Sequence, residues 1–246
     1  EETAAAASAM KDQAHTLELV AGPGMEAWSV ATGLEPQTLD PQGFGRYGAA
    51  NYDTLVDCPV EMGPFWSASF TACGIPHRLV VAGAPPSFDG AKLVADTQAI
   101  CAAEIRFWHG DIVKNDSNKR SKYEGQSPIP FKNYVFMLNA VADGYGGLEH
   151  KNSTALICKR ADLPRLPRTN LASTAHKQPE GYATLLGLIS HEYFHTWNVK
   201  RLRPAELATY DYTQENYTEL LWFFEGFTSY YDDLLLRRAG LIDNAA

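Results

Sequence analysis

Residues 191–204 read HEYFHTWNVKRLRP. On a helix, His191 and His195 stand one turn apart on one face. Two imidazoles so placed can bind one zinc ion, each through a nitrogen at about 2.0–2.1 Å. Glu192 is rotated by about 100° from His191. It stands beside the ligand face and within reach of a water on the metal, the place of a general base in metal-assisted hydrolysis. The helix expected over 181–200, ended by Pro204, is apolar almost all round, with Leu185, Leu186, Leu188, Ile189, Tyr193, Phe194, Trp197 and Val199. Such a helix is expected to be buried. Ionisable groups on it are costly unless paired or metal-bound. The plainer alternative is a buried helix whose His and Glu side chains are satisfied by hydrogen bonds.

A catalytic zinc site takes a third protein ligand and keeps one position open. The metzincin spacing would place Gly at 198 and His at 201, where this chain has Asn198 and Arg201. That leaves a carboxylate from a second helix, with Glu206, Asp211, Glu215, Glu219, Glu225, Asp232 and Asp233 as candidates. Glu225 stands out among Leu220, Leu221, Trp222, Phe223, Phe224 and Phe227, an apolar run in which a carboxylate calls for a cation; a helix-to-helix salt bridge is the alternative. Asp232, two turns further on, can accept a hydrogen bond from the outer nitrogen of a ligating His, or can be a solvated surface charge. Lys200, Arg201 and Arg203 complement the negative end of the first helix, in preference to binding a substrate carboxylate.

The rest of the chain supplies context. Short strands are expected at 16–20 and 28–32 around a turn, then at 65–70 and 78–82. The Pro-, Gly- and Gln-rich 33–50 segment reads as a domain boundary or linker. A helix is expected over 91–108, stopped by Gly110. Apolar strands at 134–141 and 154–158 flank a Gly-rich turn at 143–147 and suggest a hairpin. The polar 115–127 stretch and the 164–179 stretch read as loops, and a second long helix is expected over 217–238 with Gly240 just past its end. The Ala-rich first ten residues read as a flexible terminus.

Composition bounds the function. The 246 residues carry 45% hydrophobic and 20% charged side chains, ordinary for a globular protein, and the net charge of −8 argues against a general nucleic-acid binder. No apolar run reaches the length of a membrane span. The four cysteines form no metal-binding spacing and read more readily as buried thiols than as two disulfides. His15, His77, His109 and His176 show no partner pattern. The compartment is not legible.

HEYFHTWNVKRLRP (191–204) followed by LWFFEGFTSYYDD (221–233) resembles the glycyl aminopeptidase family of gluzincin zinc metallopeptidases, and NYDTLVDCPVEMG (51–63) and GGLEH (146–150) are similar to that family as well. The resemblance implies an α+β fold: a thermolysin-like metallopeptidase domain over 51–246, truncated at its C-terminal end, preceded over 1–50 by a flexible terminus and the tail of a β-sandwich. It implies one zinc ion per chain on His191, His195 and Glu225, and removal of N-terminal residues, Gly or Ala favoured, by Glu192-assisted attack of a zinc-bound water. The partner implied is a peptide with a free N-terminus; further domains or a companion fragment outside this chain are expected. So is an oxyanion-stabilising Tyr or His beyond residue 246.

Read from its residues, GGLEH lets backbone approach closely at Gly146 and Gly147. A strand there could pair with an extended peptide, with Glu149 facing the substrate ammonium. In related zinc aminopeptidases a Gly-x-Met-Glu-Asn run does this, with Asn where this chain has His150. A Gly-rich hairpin with a surface Glu is the alternative. Two other functions fit the same motif: a thermolysin-like endopeptidase, and a non-catalytic zinc-containing binding module, against which the presence of Glu192 speaks.

Overall fold

The computed structural model describes residues 10–110, 129–167 and 178–243. The 115–127 loop, His176 and nearly all of the Ala-rich start lie outside these residues. The fold is α+β.

Near the N-terminus, β1 (His15–Leu19), β3 (Glu35–Leu39) and β4 (Gly45–Ala49) form an antiparallel sheet in the order β1-β4-β3. β2 (Ser29–Thr32) pairs antiparallel with β5 (Val60–Gly63), after the short helix α1 (Tyr52–Val56). The strands expected at 16–20 and 28–32 are present, but each pairs elsewhere rather than with the other. The expected linker at 33–50 holds β3 and β4. β3 misleads because it is exposed throughout, carries Pro36, and bulges between Pro36 and Thr38. A proline is tolerated on an edge strand, where its missing N–H costs no ladder bond, so the strand reads as linker. Val30, Leu34, Phe44, Tyr47, Ala49 and Cys58 make a small apolar core here.

A five-stranded sheet organises the remainder, in the order β6-β7-β8-β10-β9. Its strands are β6 (Trp66–Ala72), β7 (Ile75–Ala82), β8 (Tyr134–Val141), β9 (Gly146–Glu149) and β10 (Ser153–Lys159). β7, β8 and β10 run parallel, and β6 and β9 are antiparallel edges. Strand alternation explains β8. Tyr134, Phe136, Leu138 and Ala140 face the main core, and Val135 and Met137 pack with Ala31 and Val80 on the other face. A strand covered on both faces reads as a continuous apolar run, as YVFMLNAV does. β8 and β10 are not the hairpin expected from their sequences. The segment between them holds β9, which reverses direction, pairs with β10 and makes β10 parallel to β8. β9 is Gly-Gly-Leu-Glu, with no apolar alternation to announce it.

Three long helices cover the main core: α2 (Gly90–His109), α3 (Tyr182–Phe194) and α4 (Leu221–Arg238). α2 starts where the Asp89 carboxylate accepts the Lys92 N–H at 3.0 Å, a side-chain cap, and stops at Gly110, φ 55°. α3 buries Leu185, Leu186, Leu188, Ile189, Tyr193 and Phe194, as expected, but ends at Phe194 instead of near 200. From His195 the chain turns, the Lys200 N–H reaching the His195 carbonyl and Leu202 that of Trp197. α4 begins at Leu221, later than the expected 217. Gly240, φ 75°, closes it with the two bonds of a Schellman motif: Gly240 N–H to Arg237 O at 3.1 Å and Leu241 N–H to Leu236 O at 3.0 Å. All four cysteines are free thiols, Cys58, Cys101 and Cys158 buried. Among the described residues no helix is long and apolar enough to cross a membrane.

Candidate metal centre

α3 and α4 bring His191, His195 and Glu225 together. His195 Nε2 lies 3.1 Å from His191 Nε2, and Glu225 Oε2 lies 3.3 Å from His191 Nε2 and 3.6 Å from His195 Nε2. The outer nitrogens are occupied. His191 Nδ1 donates to the Asp232 carboxylate at 2.9 Å, and His195 Nδ1 donates to the Asn198 carbonyl at 2.9 Å. Those partners only accept, so each neutral ring carries its proton on Nδ1 and turns a bare Nε2 lone pair inward. Two lone pairs and a carboxylate oxygen directed at one point repel unless a cation stands there. Ligands about 2.0–2.1 Å from a tetrahedral metal sit about 3.3 Å apart, close to the three separations found. The residues present fit a metal ion.

Asp232 therefore holds His191, and α3 ending at Phe194 is what lets residue 198 curl back beneath His195. Asn198 is itself pinned, its Nδ2 donating to Phe224 O and Thr228 Oγ1, both at 3.1 Å. Nothing in the sequence marks that backbone carbonyl as a partner. The apolar run around Glu225 is not buried as expected: Leu221, Trp222, Phe223 and Phe227 are exposed, and the Glu225 side chain is 47% exposed. Its place at the site follows from helical spacing to Asp232.

Glu192 is buried, and its Oε2 has no hydrogen-bond partner. Burial pushes its carboxyl up to about 7, with the imidazoles opposing and Glu149 and Glu225 adding to the rise. Carboxylate oxygens of Glu149 and Glu192 and a nitrogen of His195 lie within 4.8 Å of one another. Gly147 sits against the Glu192 side chain, where a Cβ would collide with Cγ, Cδ and Oε1. The close approach expected of this glycine is thus made by Glu192. Gly146 opens β9, whose outer edge pairs with no strand among the described residues. Tyr145, just before it, is exposed and was not singled out from the sequence; part-burial and the charges of Asp232 and Glu192 raise its hydroxyl.

Glu149 and His150 line one cleft of about 320 Å³ with Asp57, Lys200, Arg203 and Tyr212. His150 is buried, with Nδ1 3.6 Å from the Asp57 carboxylate. Lys200 does not cap α3 as expected. It donates to Asp57 at 3.0 Å, while Arg203 Nη2 donates to the Lys200 carbonyl at 2.7 Å. Glu104, on α2, is fully buried and hydrogen-bonded with Ser190; an isolated Glu in an amphipathic helix gave no sign of this.

Such a site, two imidazoles and a carboxylate around a point with a buried carboxyl beside it, is one that could hold a metal ion. Comparisons with known proteins give the class. The family model for M61 glycyl aminopeptidase matches residues 184–246, and the model for the M61 peptidase N-terminal domain matches residues 1–64. The GGLEH run lies outside both matches. Curated proteins give no match. Among solved structures, the chain is similar to an aminopeptidase N family protein from Idiomarina loihiensis, with 38% identity and a TM-score of 0.80, over 95% of this chain and 35% of that one. The chain thus spans about a third of that relative's length. It belongs to the M61 glycyl aminopeptidase family of peptidases.

Proposed function

We propose that this chain carries the catalytic centre of a zinc-dependent aminopeptidase, in a thermolysin-like domain over 51–246 that follows the tail of a β-sandwich over 1–50. The observation that carries the reading is the convergence of His191 Nε2, His195 Nε2 and Glu225 Oε2 at 3.1–3.6 Å with both outer imidazole nitrogens already engaged. These three residues would hold one zinc ion. When bound, zinc supplies a Lewis acid that makes water acidic near neutral pH and stabilises charge on the scissile carbonyl oxygen.

The chain's own residues do the rest. Glu192 takes the proton from the attacking water at its unpartnered Oε2 and passes it to the leaving amine. One carboxyl can serve both roles, as base and then as acid. β9 pairs with the extended peptide through its free edge, Gly146 and Gly147 admitting the backbone. Glu149 then holds the free ammonium beside Glu192, and His150 shapes the adjoining cleft. Asp232 orients His191. The description of the family supports Gly, and by size Ala, as the residue removed.

Hydrolysis of Gly- and Ala-aryl amides, with metal content measured alongside, tests the reading. Turnover should be chelator-sensitive and restored by zinc. Glu149→Ala should abolish cleavage of substrates with a free N-terminus. Equal loss on N-terminally blocked peptides would favour an endopeptidase, and chelator-insensitive turnover would end the metal reading.

A further inference from the structure

Glu104 lies at 0% exposure on α2, against Ser190, the residue before His191 on α3. Its Oε1 is 3.0 Å from Ser190 Oγ, and its Oε2 has no partner. Ser190 Oγ is also 3.0 Å from the backbone carbonyl of Asp232, whose carboxylate takes the Nδ1 proton of His191 at 2.9 Å. A serine hydroxyl has one proton to give. Were Glu104 ionised, both its Oε1 and the Asp232 carbonyl would need that proton, and one contact would be left unmade. The ionised group would also be a charge without a cation. Among the described residues, the titratable groups that face it are Cys101, Tyr134, Tyr193 and Asp232, none of them basic. An unpaired buried charge is among the costliest features a fold can hold.

We propose that Glu104 is kept as the neutral acid and serves as a positioning residue: its O–H donates to Ser190 Oγ, whose proton goes to the Asp232 carbonyl, so that α2, α3 and α4 are fastened at the point from which Asp232 orients His191. The chain of bonds then has one donor for every acceptor it joins, and it runs in one direction from the core to the ligand. Burial, which raises the Glu104 carboxyl well above its usual range, acts in the same sense. The role rests on His191 being a metal ligand; the protonation state does not.

Infrared spectroscopy of the metal-free protein at neutral pH tests the state. In a Glu192→Gln background, which removes the carboxyl raised to about 7, a protonated-carboxyl band should be present and should vanish when Glu104→Gln is added. Metal binding tests the role. Glu104→Gln keeps a donor and should bind metal within about threefold of the wild type. Glu104→Leu and Ser190→Ala should weaken binding about 10–100-fold, the range for losing an outer partner of a ligand, and shift the visible spectrum of the cobalt-substituted protein while circular dichroism stays unchanged. Ser190→Ala carries the test should Glu104→Leu fail to fold. Absence of the infrared band overturns the proposal whatever metal binds. Wild-type affinity and spectrum in both the Leu and Ala variants overturn the positioning role. Where the band is present but the wild-type protein binds no metal, the failure lies instead with the metal-centre reading.

Discussion

At His191 each ring nitrogen has a separate neighbour, Nδ1 on Asp232 and Nε2 facing His195 and Glu225, where the proposed metal would sit. Asp232→Asn replaces an acceptor-only group with one that can donate, and should lower metal affinity about 10–100-fold, read by competition with a chelator. Glu192→Gln should lower kcat by about 10²–10⁴ while metal content stays full; an equal loss of metal would show that Glu192 acts as a ligand instead. Gly147→Ala should cut kcat by as much as about 10², the scale of a 1 Å misplacement, because its methyl displaces Glu192. Legibility at this scale was uneven. Helical period placed His191, Glu192 and His195 on one helix and Asp232 two turns from Glu225; Glu225 itself was singled out by apolar neighbours that are mostly exposed, so its place beside the histidines was reached by the wrong argument. Asn198, Ser190 and Glu104 were not legible, because a backbone carbonyl and contacts between helices leave no periodic trace.

Among the elements, the long helices and the apolar strands β7, β8 and β10 were legible from period and composition. β3 and β9 were not, since edge strands are selected for polarity, Pro and Gly rather than for apolar alternation. The end of α3 was misplaced for a different reason: its apolar residues continue through Trp197 and Val199, while the backbone turns at His195 so that Asn198 can reach both that ring and α4. Asn198→Ala removes two buried hydrogen bonds to α4 and should destabilise the protein by about 1–3 kcal/mol, measured by urea unfolding. Metal affinity should fall with it, since the carbonyl that steadies His195 loses its own anchor.

Across the molecule, His77 and Asp57 each contribute a loss of stability in acid, which the raised Glu192 carboxyl offsets in part between about pH 7 and 4.5. His77 sits in the core, donating from Nδ1 to Ile75 O and accepting from the Tyr193 hydroxyl, and burial lowers its pKa to about 4 from 6.5. Between those values the unfolded chain holds a proton that the folded chain lacks, so stability rises with pH and is lost as pH falls from about 6.5 to 4, on the order of 3 kcal/mol in all. Asp57, despite the desolvation that opposes it, is held at about 2 by His150, Lys200 and the Lys151 N–H, and contributes a further loss of about 2 kcal/mol between pH 3.8 and 2. His77→Gln, followed by melting temperature against pH, should flatten the first stage and leave the second; a curve unchanged above pH 4 would contradict this. One arrangement in the sheet reaches further. Gly147, in the last four-residue strand, lies against the Glu192 side chain with the backbone that, on the proposed function, would be offered to a peptide. On that function grip and chemistry would share one lever, and a change at this strand would alter how firmly a peptide is held and how fast it is cleaved together.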